Sequence, residues 1–312
     1  MSKRKSDYAI IVSCNVGYGF GLISTLNAQR YFKTDADWEI AYEDFPEDYR
    51  EKVSALHTTN VTWTHISELT PEVNDRRSDK NEPLNRFWLA YWLLARKVLR
   101  EGKYKAVCVI QADQFVFVNL DVYFRMAEAG IHVASEYPFT TINAEDLPFG
   151  NDKLIWDRGQ CGIFDSVNFM GQQHVDMISD IIDFQCEDPF KGEASHSVIA
   201  LNRAACKHGS REKTLRLDGQ LWVCDNMWGG YKLHLGAGND RVFNDRMIQI
   251  NAWHCRWWQP GRAEAELERC NKNALNTLEH NFNLTRTFME RFNNMLPEIR
   301  SEVYVKECLS KG

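Results

Sequence analysis

No stretch of the 312-residue chain approaches the roughly 20 apolar residues that a membrane-spanning helix needs. The opening MSKRKSDYAIIVS passes from a short basic cluster straight into a strand-like run, so a cytoplasmic protein is expected, neither secreted nor membrane-spanning. Paired cysteines are also missing. The nine cysteines are odd in number and dispersed, and none forms a C-x-x-C pair, which argues for reduced thiols and against a zinc site. Internal repeats and low-complexity linkers are absent. There is no excess of positive charge either: a net charge of −6 argues against a protein that coats nucleic acid with its whole surface and leaves room for a local basic groove. The one basic cluster, Arg203, Lys207, Arg211, Lys213 and Arg216, reads as a solvated helix end and loop or as a phosphate-facing or acceptor-facing patch. Finally, Gly17, Gly19 and Gly21 form G-Y-G-F-G, not G-x-G-x-x-G. No Lys-Ser/Thr follows them, so a dinucleotide fold and a P-loop are both disfavoured, and so is a nucleotidyltransferase signature near residue 15.

What is present is enough apolar and aromatic material (44% and 12%) to bury a substantial core. YAIIVSCN (8–15) reads as a strand, followed by a glycine loop and a helix. DWEIAYED (37–44) and NVTWTHIS (60–67) read as further strands. LNRFWLAYWLLARKVLREGKY has helical spacing, a basic last turn and Gly102 as its stop. KAVCVIQADQFVFV (105–118) reads as a buried strand whose apolar run stops at Gln111-Ala112-Asp113 and resumes at Phe115, then comes a helix near 121–129 and the strand IHVASEY. VNFMGQQHVDMISDIIDFQCE is expected to be a helix, YKLHLG and DRVFNDRMIQINAWH strand-rich, and 262–308 two or three closing helices. Alternating strands and helices predict a mostly parallel α/β sheet with ligands beyond the carboxyl ends of its strands. Both SCNVGYG and QAD fall at such ends, making Ser13, Asn15 and Tyr18 candidate nucleotide contacts.

Asp113 interrupts the apolar run. An unpaired buried charge costs several kcal/mol, so an ionised Asp113 needs a metal, a cation or a watered cleft. Here the sequence resembles nucleotide-sugar-dependent glycosyltransferases of the GT-A fold, in which a strand ends in Asp-x-Asp and the carboxylates hold Mn²⁺ or Mg²⁺ against the donor diphosphate. In this chain the triplet is Gln111-Ala112-Asp113. WDRGQCGIFD (156–165), RLDGQLWVCDNMW (216–228) and INAWHCRWWQPGR (250–262) match three later motifs in the expected order, and the resemblance spans roughly residues 8 to 262.

The resemblance implies a GT-A-like (Rossmann-like) catalytic domain over 1–262, a mostly parallel mixed sheet flanked by helices, with a helical extension, 263–312, packed on it. It implies transfer of a sugar from a nucleoside-diphosphate donor, UDP-sugar favoured, to an acceptor hydroxyl on a glycan, lipid-linked glycan or peptide. Asp113 and His254 are the implied metal ligands, with Gln111, Arg86, Arg256 and Trp257 on the donor. Gln160 is implied beneath the donor sugar, and Asp218, then Asp225, as the acceptor-activating carboxylate. One carboxylate fewer predicts a divalent metal that is weakly bound or dispensable. Gln111→Asp is expected to tighten Mn²⁺ binding. Plain structural roles compete: Asp113 as a turn residue, Asp218 as a helix N-cap, His254 as a hydrogen-bonded core histidine, Trp257 and Trp258 as packing. Two further readings are a glycosyltransferase that modifies a hydroxylated base in DNA and an inactive nucleotide- or glycan-binding module of the same fold.

Overall fold

The computed structural model describes residues 5–71, 83–136, 163–186, 196–209, 213–222, 224–225, 232–237, 241–244, 247–254 and 272–295. Its centre is a seven-stranded sheet built from β1 (Tyr8–Asn15), β2 (Asp37–Glu43), β3 (Val61–His65), β4 (Ala106–Ile110), β6 (His132–Glu136), β7 (Ile163–Gly171) and β8 (Thr214–Leu217). The strands lie in the order β3-β2-β1-β4-β7-β6-β8. Neighbours pair in parallel except around β7, which is antiparallel to both β4 and β6. The sheet is therefore mixed and mostly parallel, as expected.

Central strands read as continuous apolar runs because both faces are covered. On one face, α1 (Gly19–Tyr31), α2 (Glu47–Leu56) and α5 (Asp121–Glu128) pack through Leu22, Leu26, Tyr49, Val53 and Phe124. On the other, α4 (Pro83–Arg100), α6 (Val175–Cys186) and α7 (His196–Lys207) contribute Tyr91, Trp92, Leu93, Ile178, Ile181 and Leu201; α3 (Ile66–Leu69) adds Ile66 and Leu69. The basic last turn of α4 and Gly102, at φ +64° beyond it, end that helix as the sequence implies. The α2 helix was not anticipated, although Tyr49 and Val53, one turn apart and both buried, carry its signal.

Two expectations are corrected. The run 105–118 stops at Gln111-Ala112-Asp113 as the sequence implies, but its resumption does not continue the same strand: β4 stays in the large sheet, whereas β5 (Gln114–Val116) joins β9 (Cys224–Asp225) and β13 (Ala252–His254) in a small sheet ordered β5-β13-β9. The break is a β-turn closed by Gln114 N–H to Gln111 C=O at 3.0 Å. Likewise, VNFMGQQHVDMISDIIDFQCE is not helical throughout. Val167 to Gly171 complete β7, where Val167 and Phe169 face one helix layer and Met170 the other, and α6 starts only at Val175. Both helix and strand periods fit Val-Asn-Phe-Met, and the ladders to β4 and β6 decide between them.

The remaining strands, β10 (His234–Leu235), β11 (Val242–Phe243) and β12 (Gln249–Ile250), are short and form a three-stranded antiparallel sheet. α8 (Gly219–Trp222) follows β8. Of the closing segment, α9 (Lys272–Asn293) is described, and it packs on α1 and against the aromatic side chains of β5 and its continuation. Phe288, Met289 and Phe292 meet Phe20, Phe115 and Phe117. Buried amides clamp the two helices: Asn27 donates to the Phe292 carbonyl at 2.7 Å, and Asn293 to that of Phe20 at 3.2 Å. No helix among the described residues is long and apolar enough to cross a membrane.

Candidate active site

The order β3-β2-β1-β4 places a topological switch between β1 and β4: the chain leaves β1 toward β2 through one helix layer and returns to β4 through the other. Loops diverge at such a point and leave a crevice beyond the carboxyl ends. Asn15 ends β1 there, and the Gln111–Gln114 turn leaves β4 there. The parallel ladder between the two strands runs from Tyr8–Ala106 to Ile11–Val109, so both carboxyl ends point the same way.

The small sheet brings the later motifs to the same turn. β13 lies between β5 and β9, with His254 opposite Gln114 on one side and Asp225 on the other. The turn and two segments far downstream of it in sequence thus share one backbone row, with Asp113 next to its first member. One side-chain and one backbone hydrogen bond fasten it. Gln114, buried on β5, donates to the Trp222 carbonyl at 2.8 Å, and Asn251 N–H reaches the Leu221 carbonyl at 2.8 Å. Both bonds tie α8, and Asp218 just before it, to the turn. Asp218 is exposed, and its carbonyl accepts N–H from Leu221 and Trp222 at 3.0 and 2.9 Å, which is the helix-starting position considered from sequence.

Two polar atoms in this region are buried and meet no hydrogen-bond partner among the described residues: Asn15 Oδ1 and Gln114 Oε1. Orphaned buried acceptors are uncommon, and where they cluster they mark a place for a ligand or water. Ser13, in contrast, is committed: its hydroxyl donates to the Phe87 carbonyl, which holds the start of α4, and with it the backbone of Arg86, beside the end of β1. Tyr18 is half-buried against the core at the start of α1. Burial pushes the Cys14 thiol well above its usual range, so no thiolate chemistry is available at this strand end.

Behind the turn stands a group that sequence reasoning did not assign. Asp165, on β7 and 2% exposed, accepts from Gln111 Nε2 at 2.8 Å and from the Tyr91 hydroxyl at 3.2 Å. Its only signal in the sequence was a carboxylate inside the apolar run of the WDRGQCGIFD segment.

Gln160, Arg256, Trp257, Trp258 and Arg262 lie outside the described residues, as do the side chains of Arg86, Asp225 and His254. No group of three or more His, Cys, Asp and Glu is gathered as a metal site among the described residues. The turn itself offers one carboxylate, Asp113, and one amide, Gln111; beside a nucleotide a divalent cation is commonly held by one or two carboxylates together with substrate phosphates and water. The basic cluster is partly engaged by the protein itself: Lys207 pairs with Asp180 at 2.7 Å, Arg216 with Glu136 at 3.4 Å, and Arg203 lies over Phe184.

The mixed, mostly parallel sheet with one reversed strand, covered by helices on both faces and followed by a small second sheet, is a fold of the GT-A type. Among solved structures the chain is similar to the bifunctional glycosyltransferase WbbM (TM-score 0.56, 10% identity, 90% of this chain and 50% of that one). It is also similar to mouse xyloside xylosyltransferase 1 (TM-score 0.51, 9% identity, 81% of this chain and 99% of that one). The chain therefore spans half the length of WbbM. At these identities the likeness is one of fold. No protein-family model and no curated sequence matches the chain.

Proposed function

We propose that the crevice at the β1/β4 switch point binds a nucleoside-diphosphate sugar, UDP-sugar favoured, and that the protein transfers the sugar to an acceptor hydroxyl of a glycan, a lipid-linked glycan or a peptide. The observation that carries this reading is the shared row formed by the Gln111–Gln114 turn, His254 and Asp225, set beside the orphaned Asn15 acceptor in a GT-A fold.

As the glycosidic bond breaks, negative charge grows on the leaving diphosphate and must be met by fixed positive charge or donors. Arg86, in the first turn of α4, is the candidate within the described backbone, and guanidinium geometry suits a bidentate phosphate contact. Asn15 and Gln114 supply neutral acceptors for donor hydroxyls. Asp113 supplies the one carboxylate of the turn. For an inverting transfer a carboxylate must take the acceptor proton; Asp218, exposed at the mouth of α8, is the first candidate and Asp225 the second. A divalent cation, if recruited, would draw on Asp113 and His254 and would neutralise the diphosphate.

The test is a panel of nucleotide sugars, scored for binding by calorimetry and for hydrolysis or transfer, with wild type, Asp113→Ala and Asp218→Ala. Donor binding and turnover that fall by about 100-fold or more in Asp113→Ala support the assignment. Full activity in that variant sinks it. Tight binding without any turnover identifies a binding module instead.

A further inference from the structure

The turn has an amide where the resemblance leads one to expect a carboxylate, and the structure gives a physical reason. β7 runs antiparallel beside β4, and Gln111 N–H reaches the Ser166 carbonyl at 3.1 Å, so Asp165 enters directly behind the turn. Asp165 belongs to a buried chain of hydrogen bonds. The Tyr91 hydroxyl sits 2.7 Å from Ser197 Oγ, and Trp92 Nε1 lies 3.4 Å from the same oxygen; all three residues are at most 1% exposed. Polarity runs one way along it. An indole N–H can only donate, and Tyr91 has a single proton to give, which goes to the charged acceptor, Asp165, and not to the hydroxyl. Ser197 then donates to Tyr91. The second Asp165 oxygen takes the Gln111 amide N–H at 2.8 Å. The amide oxygen of half-buried Gln111 accepts no hydrogen bond from the described residues.

We propose that Asp165, held by Tyr91 and Ser197, is a positioning residue that requires an amide at 111 and turns its carbonyl oxygen to the crevice. The donor face of the turn then carries a single carboxylate, Asp113, beside a neutral acceptor suited to a donor hydroxyl. A second carboxylate exists, but it stands one layer deeper and is spent on orientation. The Gln111→Asp change alone would set a second anion near Asp165, so it would not simply tighten Mn²⁺ binding; the charge has to be moved, not added. The orienting role stands without any assumption about the reaction, whereas the donor-facing role rests on the glycosyl-transfer reading.

The experiment is an isosteric charge swap: Gln111→Glu, Asp165→Asn and the two together, compared with wild type for melting temperature and for Mn²⁺ and UDP-glucose affinity by calorimetry. In Gln111→Glu two carboxylates meet at hydrogen-bond distance, and a melting-temperature loss of about 8 °C is expected. Asp165→Asn sets an N–H against the Gln111 N–H, or flips one amide, and loses about 4 °C. In the double variant the amide now at position 165 still accepts from Tyr91 and donates to the carboxylate now at position 111. Stability then returns to within about 2 °C of wild type while Mn²⁺ affinity rises about 10-fold. Additive losses overturn the positioning role. Restored stability with unchanged Mn²⁺ and UDP-glucose binding overturns the donor-facing role, and with it the glycosyl-transfer reading of the turn, while the coupling stands.

Discussion

Acidification from about pH 7.5 to 5 is expected to weaken the fold through two buried histidines, His132 and His174. His132, 1% exposed on β6, is held between Thr214 Oγ1 at 3.1 Å and Asn168 Oδ1 at 3.2 Å; His174 accepts the Gly171 N–H at 3.1 Å. Their rings lie 5.9 Å apart. Burial, and for His132 the neighbouring His174, push the pair down, His132 to about 3 and His174 to about 4. Both therefore stay neutral in the folded protein while the unfolded chain takes up protons below about pH 6.5. For such a group stability is full above the unfolded value and falls as pH drops toward the folded one. At pH 5 each histidine lies about 1.5 units below its unfolded value, a loss of about 2 kcal/mol apiece and about 4 together. Asp180, whose carboxyl is held low by Lys207 and His208, loses its contribution only at more acidic pH. Urea denaturation at several pH values reads the slope, and His132→Gln, able to keep both hydrogen bonds, should remove about half of it. Equal stability at pH 7.5 and 5, or an imidazole that titrates near 6.5 by NMR, refutes the reasoning.

Other outcomes follow from the same structure. Phe292→Ala should cost about 3–5 kcal/mol in urea denaturation, because Phe292 fills the contact between α9, α1 and β5; a loss under about 1 kcal/mol would mean that α9 is not docked there. Tyr104→Phe should cost about 1–3 kcal/mol, since its hydroxyl donates to Glu39 at 2.7 Å and both Glu39 and Asp37 are buried at that end of the sheet. Asn15→Ala removes an acceptor that nothing in the described protein uses, so stability should shift by less than about 0.5 kcal/mol while affinity for a bound nucleotide sugar drops about 10-fold. A stability loss with unchanged affinity would assign Asn15 to the scaffold.

The strands and helices of the first 136 residues were largely legible because alternation of buried runs with amphipathic helices follows from covering both faces of a parallel sheet. The β7 strand was not. Its Val-Asn-Phe-Met sequence satisfies two periods, and only pairing with β4 and β6, distant in sequence, selects one. The turn at Gln111 was placed at a strand end correctly, but the change of sheet after it depends on β13, far downstream. Asp165 illustrates the limit most clearly. Its hydrogen-bonded network draws on the end of β4, α4 and α7, and no local spacing announces that a carboxylate in a strand will meet an amide 54 positions earlier.

The most direct measurement is calorimetry of the purified protein with UDP-sugars, repeated with Asp113→Ala after circular dichroism has shown that the variant is folded. The account predicts saturable binding of at least one UDP-sugar by the wild type and a loss of about 100-fold in the folded variant. Equal binding by both proteins would contradict the assignment of the switch-point turn as the donor site.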